Sequence, residues 1–441
     1  MRYYYLRLAS LTLLFLSLTR AKVTAVGENA PFQRIEEKVQ NCGFDPAINT
    51  DNNSRSNQKA ETYCYRSLLY IQAKKPERAI DSLTKAIEID LNYTESYMLR
   101  GVLYLQQQQL ERAIADLNRA VELAPDYTQP YLMRTVYYMY RKQWQQALAD
   151  FNRIVEIEPN NAESYLYRAG YHSIRKQWDE MNADYERAIE VEPNNADIYF
   201  SRASFYRSRK QWDKALADYN RGIELDGSEP SVYLARGNIY IKKQQWDRAL
   251  ADFNKAISID PNLAEAYLAR SNVYLQKEQW DRVSINAQKA IELNPQLAGA
   301  YLLQGYVHHQ REDYSAALSH YQQVISLYSD NSENIYESEL ILAGAFNNIG
   351  LIKYEMGATD EAIENFQSAI KQDEELTESK FALATALYTK GEIDRATELA
   401  QTALMSNQKY ADVQYLQKMF WGEKMIEDAR ELLSNPKLSN R

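Results

Sequence analysis

The sequence predicts an all-α solenoid in which helix–turn–helix units stack one after another. Three observations carry this expectation. The phrase RKQWQQALADF at Arg141 returns as RKQWDEMNADY at Arg175, as RKQWDKALADY at Arg209 and as KQQWDRALADF at Lys243. Aligned on Trp144, the chain keeps one period of 34 residues from Ala60 to Asn331, eight units without insertion or deletion. A fixed period of that size marks a stacked repeat protein. Finally, 14 Gly and 11 Pro among 441 residues are few, and these are the residues that most often interrupt helices. With 45% hydrophobic content, the chain can bury a large core, which excludes disorder as its main state.

The clearest unit is PSVYLARGNIYIKKQQWDRALADFNKAISIDPNL, from Pro230 to Leu263. Positions 4, 8 and 11 (Tyr233, Gly237, Tyr240) form one stripe on a first helix. Positions 17, 20, 21, 24, 27 and 28 form another on a second helix, Ala249, Phe253 and Ala256 among them. Small residues at 8 and 20 let the two backbones approach, and large ones at 4, 11, 17 and 24 fill the space around them. Proline at 32 (Pro125, Pro159, Pro193, Pro261, Pro295) ends the second helix, because it has no amide to donate. The unit closely resembles the tetratricopeptide repeat, and the resemblance extends over about residues 60 to 410. It implies a right-handed superhelix with a concave face lined by first helices, on which positions 2, 5, 9, 12 and 13 are open to a partner.

Placed in this register, the aromatic residues read as packing. Trp144, Trp178, Trp212, Trp246 and Trp280 all open the second helix at position 17, where a large ring buries a large area. Position 4 carries tyrosine in all eight units, from Tyr63 to Tyr301. A polar pair repeats as well. Arginine stands at position 7 in seven units (Arg66 to Arg270), and aspartate at position 23 in five: Asp116, Asp150, Asp184, Asp218 and Asp252. An Arg–Asp bridge between the helices of units two to six is expected, since a half-buried arginine needs a partner.

Outside the eight units the organisation changes. Residues 1–25 read as a secretory signal: Arg2 and Arg7, then the short apolar run LASLTLLFLSL, then Val23-Thr24-Ala25 as a cleavage site. An export route to a periplasmic, lumenal or secreted location is expected, with an uncleaved membrane anchor as the alternative. Residues 26–59 form an N-terminal arm and polar loop, and Cys42 there can pair with Cys64 in a disulfide, or both thiols stay unpaired. Eleven extra residues, 332–342, precede two further units at 343–410, whose turns carry Gly357 and Gly391. Whether this insert is a hinge, a helix extension or a loop stays open. Residues 411–441 read as capping helices and a tail that cover an apolar edge.

Composition and motifs argue against chemistry. The formal net charge is -9, which lacks the basic footprint of a nucleic-acid binder. There is no Gly-rich phosphate loop, no nucleophile motif and no metal-spaced His/Cys set. No enzyme activity, cofactor or metal is expected. Function then rests on surfaces. Position 5 reads Cys64, Met98, Leu132, Leu166, Phe200, Leu234, Leu268 and Leu302, and position 9 adds Asn238 and Asn272. Within the groove that the resemblance implies, Leu132, Leu166, Phe200, Leu234, Leu268 and Leu302 suit a peptide with apolar anchors, and the amides of Asn238 and Asn272 suit its main chain. Alternatively, the apolar residues pack against the neighbouring first helix. The interhelix turns carry Arg141, Lys142, Arg175, Lys176, Arg209, Lys210, Lys242 and Lys243, a basic rim that is either solvated or docks on an anionic membrane surface. A non-enzymatic adaptor binding a protein segment is the expected function, and a membrane-surface assembly factor is the alternative.

Overall fold

The computed structural model describes residues 52–330 and 335–439, with side chains from 59 to 328 and from 339 to 438. The segment expected to act as a signal and Cys42 lie outside the described residues. Among the described residues the chain is built of α-helices and one short 3-10 turn, with no strand. It divides into two compact halves, up to Ile198 and from Tyr199 onward.

The N-terminal half holds four helix pairs: α1 (Asn52–Gln72) with α2 (Pro76–Ile89), α3 (Thr94–Gln106) with α4 (Leu110–Leu123), α5 (Thr128–Tyr140) with α6 (Trp144–Ile157), and α7 (Ala162–Ile174) with α8 (Trp178–Val191). The division falls within α9 (Ala196–Ser208), whose partner is α10 (Trp212–Leu225). The C-terminal half continues with α11 (Pro230–Lys242) and α12 (Trp246–Ile259), α13 (Ala264–Gln276) and α14 (Trp280–Leu293), and α15 (Ala298–Gln310) and α16 (Tyr314–Asp330). It closes its pairs with α17 (Ile335–Glu355) and α18 (Thr359–Gln372), then α19 (Thr377–Thr389) and α20 (Ile393–Ser406). Within each half, the two helices of each complete pair touch, α9 and α10 are joined through Arg202 and Asp218, and each second helix also touches the next first helix.

The packing follows the expected positions. Position 20 is fully buried at Ala79, Ala113, Ala147, Ala215 and Ala249. At position 8 the helices come so close that a β-carbon on Gly237 would stand 2.5 Å from the ring of Phe253, itself fully buried. Burying such a ring contributes about 1.5–3 kcal/mol. The position-4 tyrosines have a second task. Tyr131, Tyr165 and Tyr233 donate their hydroxyls to the carbonyls of Pro125, Pro159 and Gly227, at 3.1, 3.0 and 3.2 Å. Each therefore satisfies an oxygen just past the end of the preceding second helix. Four of these tyrosines (Tyr63, Tyr97, Tyr267, Tyr301) are half-buried rather than buried, and so are all five position-17 tryptophans.

The turn between the helices of a pair has its own rule. Position 15 is left-handed throughout, with φ between 54° and 59° at Lys74, Gln108, Lys142, Lys176, Lys210, Gln244, Glu278 and Glu312. Only Gly357 and Gly391, at φ 84°, place there the residue that adopts this region without steric cost.

The insert is a helix extension from Ile335 onward, since its residues form the first turns of α17. The C-terminal segment departs from a simple edge cap. After the 3-10 turn Gln408–Ala411 come α21 (Val413–Lys418), α22 (Glu423–Leu433) and α23 (Pro436–Ser439). The 3-10 turn and α23 lie on α20, but α22 packs on α17 and α19, the first helices of repeats nine and ten. Met425, Ile426, Ala429 and Leu432 are the apolar residues it buries there.

Candidate interaction surface

A polar ladder holds the helices in register and frames the surface. Arg100, Arg134, Arg168, Arg202 and Arg236 bind Asp116, Asp150, Asp184, Asp218 and Asp252, with closest N–O distances of 2.6–2.7 Å. The five expected bridges are all present. A further contact had no counterpart in the sequence reading. Nη1 of Arg134, Arg168, Arg236 and Arg270 donates to the amide oxygen of Asn118, Asn152, Asn220 and Asn254 on the preceding second helix, at 2.7–2.9 Å. The signal was an asparagine recurring at position 25. One arginine thus ties three helices together, which requires the planar fork that lysine lacks. In repeat seven, where the acid is absent, Arg270 Nε still donates to Asn286 Oδ1 at 2.8 Å.

The first-helix residues chosen for the groove divide by burial. In the N-terminal half Leu132 is buried and Leu166 half-buried. In the C-terminal half Phe200, Leu234, Leu268 and Leu302 are half-buried, while Asn238 and Asn272 are exposed. Leu268 and Leu302 reach toward the next first helix, with methyl carbons about 3.5–3.8 Å from where a β-carbon on Gly299 or Gly344 would stand. Asn272 is exposed, and its Nδ2 donates to Leu268 O at 3.2 Å. Because α11 touches α13 and α13 touches α15, Leu234, Asn238, Leu268, Asn272 and Leu302 share one continuous row. Cys64 is buried, and burial pushes its thiol up to about 12.

At the turn position of Lys243, the cations of the C-terminal half form a row of ion pairs. Lys243, Lys277, Arg311 and Lys390 pair with Asp213, Asp247, Asp281 and Asp360 of the preceding repeat, at 2.5–2.8 Å. Arg175 lies over the ring of Trp144, 4.7 Å from its centre, a cation–π contact. Among the described residues no cluster of His, Cys, Asp and Glu is arranged to hold a metal ion, and no helix is long and apolar enough to cross a membrane.

Two acids stand out in the C-terminal half. Glu378 is buried at the start of α19 and accepts from Trp421 Nε1 at 3.3 Å. Burial pushes its carboxyl up to about 7, against the hydrogen bonds from Asn347 and Trp421. Glu355, at the end of α17, accepts from the amides of Lys424 and Met425 at 3.3 and 2.9 Å, capping α22.

Comparison with known proteins agrees with this architecture. Tetratricopeptide repeat models match residues 60–93 and 298–331, 94–127, 184–217 and 353–419, and a TPR repeat model matches 203–244 and 237–278. No curated protein matches the chain. Among solved structures it is similar in fold to the APC/C hetero-tetramer Cut9–Hcn1, at 14% identity over 91% of this chain and 81% of that one, with a TM-score of 0.48. It is also similar to yeast Tom70, at 16% identity over 86% of this chain and 98% of that one, TM-score 0.39. YrrB, described as a TPR protein with an unusual peptide-binding site, is 24% identical over 47% of this chain and 97% of that one, TM-score 0.35. With repeat models matching more than half of its length, the chain belongs to the tetratricopeptide repeat family, a fold that serves as a scaffold for protein interaction.

Proposed function

We propose that the protein is a non-enzymatic adaptor that holds a segment of a partner protein along its first helices. One observation carries the reading: Leu234, Asn238, Leu268, Asn272 and Leu302 stand in a row on three touching helices, apolar and half-buried at position 5, polar and exposed at position 9. Such a row offers anchor sites for apolar side chains and amides for a main chain, at intervals set by the repeat. The second reading, docking on an anionic membrane, is weakened at Lys243, since a cation already paired with Asp213 attracts lipid weakly.

The test is a photo-reactive amino acid placed at Asn238 or Asn272 in one set of variants and at Lys176 or Lys210 of the rim in another. After irradiation in the native cells, linked peptides are identified by mass spectrometry. One recurring partner sequence linked from 238 and 272, and absent from the other set, is the expected result. Links from the rim alone, lost when lipid is extracted, would transfer the assignment to the membrane reading. Export is part of the proposal and rests only on the basic and apolar start of the chain; N-terminal sequencing of the mature protein checks it.

A further inference from the structure

The segment between α21 and α22 lies across first helices that no sequence pattern linked to it. Phe420 stacks on Tyr306 and His309, ring centres 5.3 and 5.4 Å apart, and meets the edge of Trp280 at 5.9 Å. Trp421 is buried, stacks on Phe381 at 5.7 Å and donates to Glu378. Gly422 passes so close to Glu355 that a β-carbon there would stand 2.2 Å from its Cδ, and Glu355 then caps the following helix. Tyr354 donates to Asp428 at 2.6 Å, and Lys424 Nζ donates to Tyr354 O at 3.3 Å.

The pattern of these contacts is informative. Glu378 is at position 2 of its repeat, Phe381 at 5, Tyr306 at 9, His309 and Tyr354 at 12, and Glu355 at 13. These are the positions expected to face a bound partner. An edge cap would cover only the open side of α20, and here the 3-10 turn and α23 already lie on that helix. The Phe420-Trp421 pair instead reaches back to repeats seven, eight and ten. Phe420 also has φ 64°, a backbone region that phenylalanine rarely adopts. Its contacts hold it there.

We propose that Phe420–Met425 is an internal ligand, occupying the first-helix groove of repeats eight to ten until a partner segment with a similar aromatic pair displaces it. This rests on the adaptor reading above and names the chemistry that one part of the groove selects. The groove offers aromatic walls (Tyr306, His309, Phe381) and two carboxyls, Glu355 and Glu378. The fitting partner segment carries two adjacent aromatic residues followed by a helix start or an amine. The same arrangement makes the site self-closed, since a tethered occupant competes at high effective concentration.

The experiment uses the full chain and a labelled synthetic peptide of residues 415–428, YLQKMFWGEKMIED. Binding in trans is measured by fluorescence anisotropy to the wild type, to Phe420→Gly and to Phe420→Gly/Trp421→Ala. The glycine removes the ring and eases the backbone at φ 64°, so the first variant keeps its fold. The peptide is expected to bind the double variant roughly ten-fold or more tighter than the wild type, and a peptide with both aromatics changed to alanine is expected to bind neither. Amide exchange gives an independent readout: residues 417–428 should lose protection in the variants while α17 to α20 keep theirs. Excess peptide added to the wild type should also deprotect the tethered copy. Absence of peptide binding to either variant overturns the proposal, as does loss of protection in α19 and α20 together with the segment. Photo-links from Asn238, two repeats away in repeat six, report on the adaptor reading separately, so either idea can fail while the other stands.

Discussion

Arg202 donates through Nε and Nη2 to the two oxygens of Asp218, at 2.7 and 2.8 Å, with 16% and 8% of the two side chains left exposed. Truncating one partner of a pair this enclosed leaves a charge without compensation, which outweighs the modest net worth of the intact bridge. Asp218→Ala is therefore expected to destabilise by about 2–4 kcal/mol, and Asp218→Asn by less, because Arg270 shows that an asparagine oxygen still accepts from Nε at 2.8 Å. Thermal melts of the two variants, with exchange protection in α9 and α10 as the local readout, check the order. An unchanged melting temperature for Asp218→Ala would remove the bridge from any structural role. The turn residue of the same repeat works in the opposite direction. Lys210 sits at φ 56°, a region that disfavours a side chain by about 1–2 kcal/mol. Lys210→Gly is expected to gain about 1 kcal/mol after the flexibility of glycine in the unfolded chain is subtracted. A melting temperature that drops would mean that Lys210 makes a contact worth more than the backbone relief.

At the scale of helices, what the sequence made legible was whatever repeats. The bridge between positions 7 and 23 could be read because arginine and aspartate recur together in units two to six and are both replaced in unit eight, by Gln304 and His320, although unit seven keeps Arg270 with Asn286. The inter-repeat contacts leave an equally periodic trace. The acid at position 18 and the cation at position 14 of the next repeat, Asp213 with Lys243 and Asp247 with Lys277, are always 30 residues apart. Reading both rows shows a string of ion pairs along this edge in the C-terminal half, each worth about 0–1 kcal/mol in solvent. The position-5 residues were ambiguous for a physical reason. An apolar residue between adjacent first helices can serve packing or a groove, and Leu268 is half-buried beside Gly299, which fits either role. The fold-back of α22 left no trace because it is not periodic. Phe420 meets Trp280 across 140 positions of sequence, and nothing local in KMFWGEKM marks the aromatic and acidic surface that receives it.

For the molecule as a whole, the formal net charge is -9, and two buried groups in the C-terminal half impose opposite local slopes on the pH dependence of stability. Burial lifts Glu378 from 4.5 to about 7, so the folded state holds its proton better than the unfolded chain does. Its contribution is complete below pH 4.5 and is lost as pH rises through 7. Burial lowers His309 from 6.5 to about 4; its contribution is complete above pH 6.5 and is lost as pH falls through 4. The neighbours facing Glu378 do not add charge in this range: Tyr306, Tyr321 and Tyr410 are phenols pushed upward by burial, and Trp421 and Asn347 do not ionise. Substituting Glu378→Gln removes one slope and leaves the other. The difference in melting temperature, variant minus wild type, is expected to be smallest near pH 4.5, to grow through neutrality and to level off above pH 8. The variant alone should then soften steadily on acidification from pH 6.5. Both groups touch the Phe420-Trp421 pair, so exchange of residues 417–428 should follow the same pH course. A melting difference that stays constant from pH 4.5 to 8 would show that Glu378 keeps one charge state across the range.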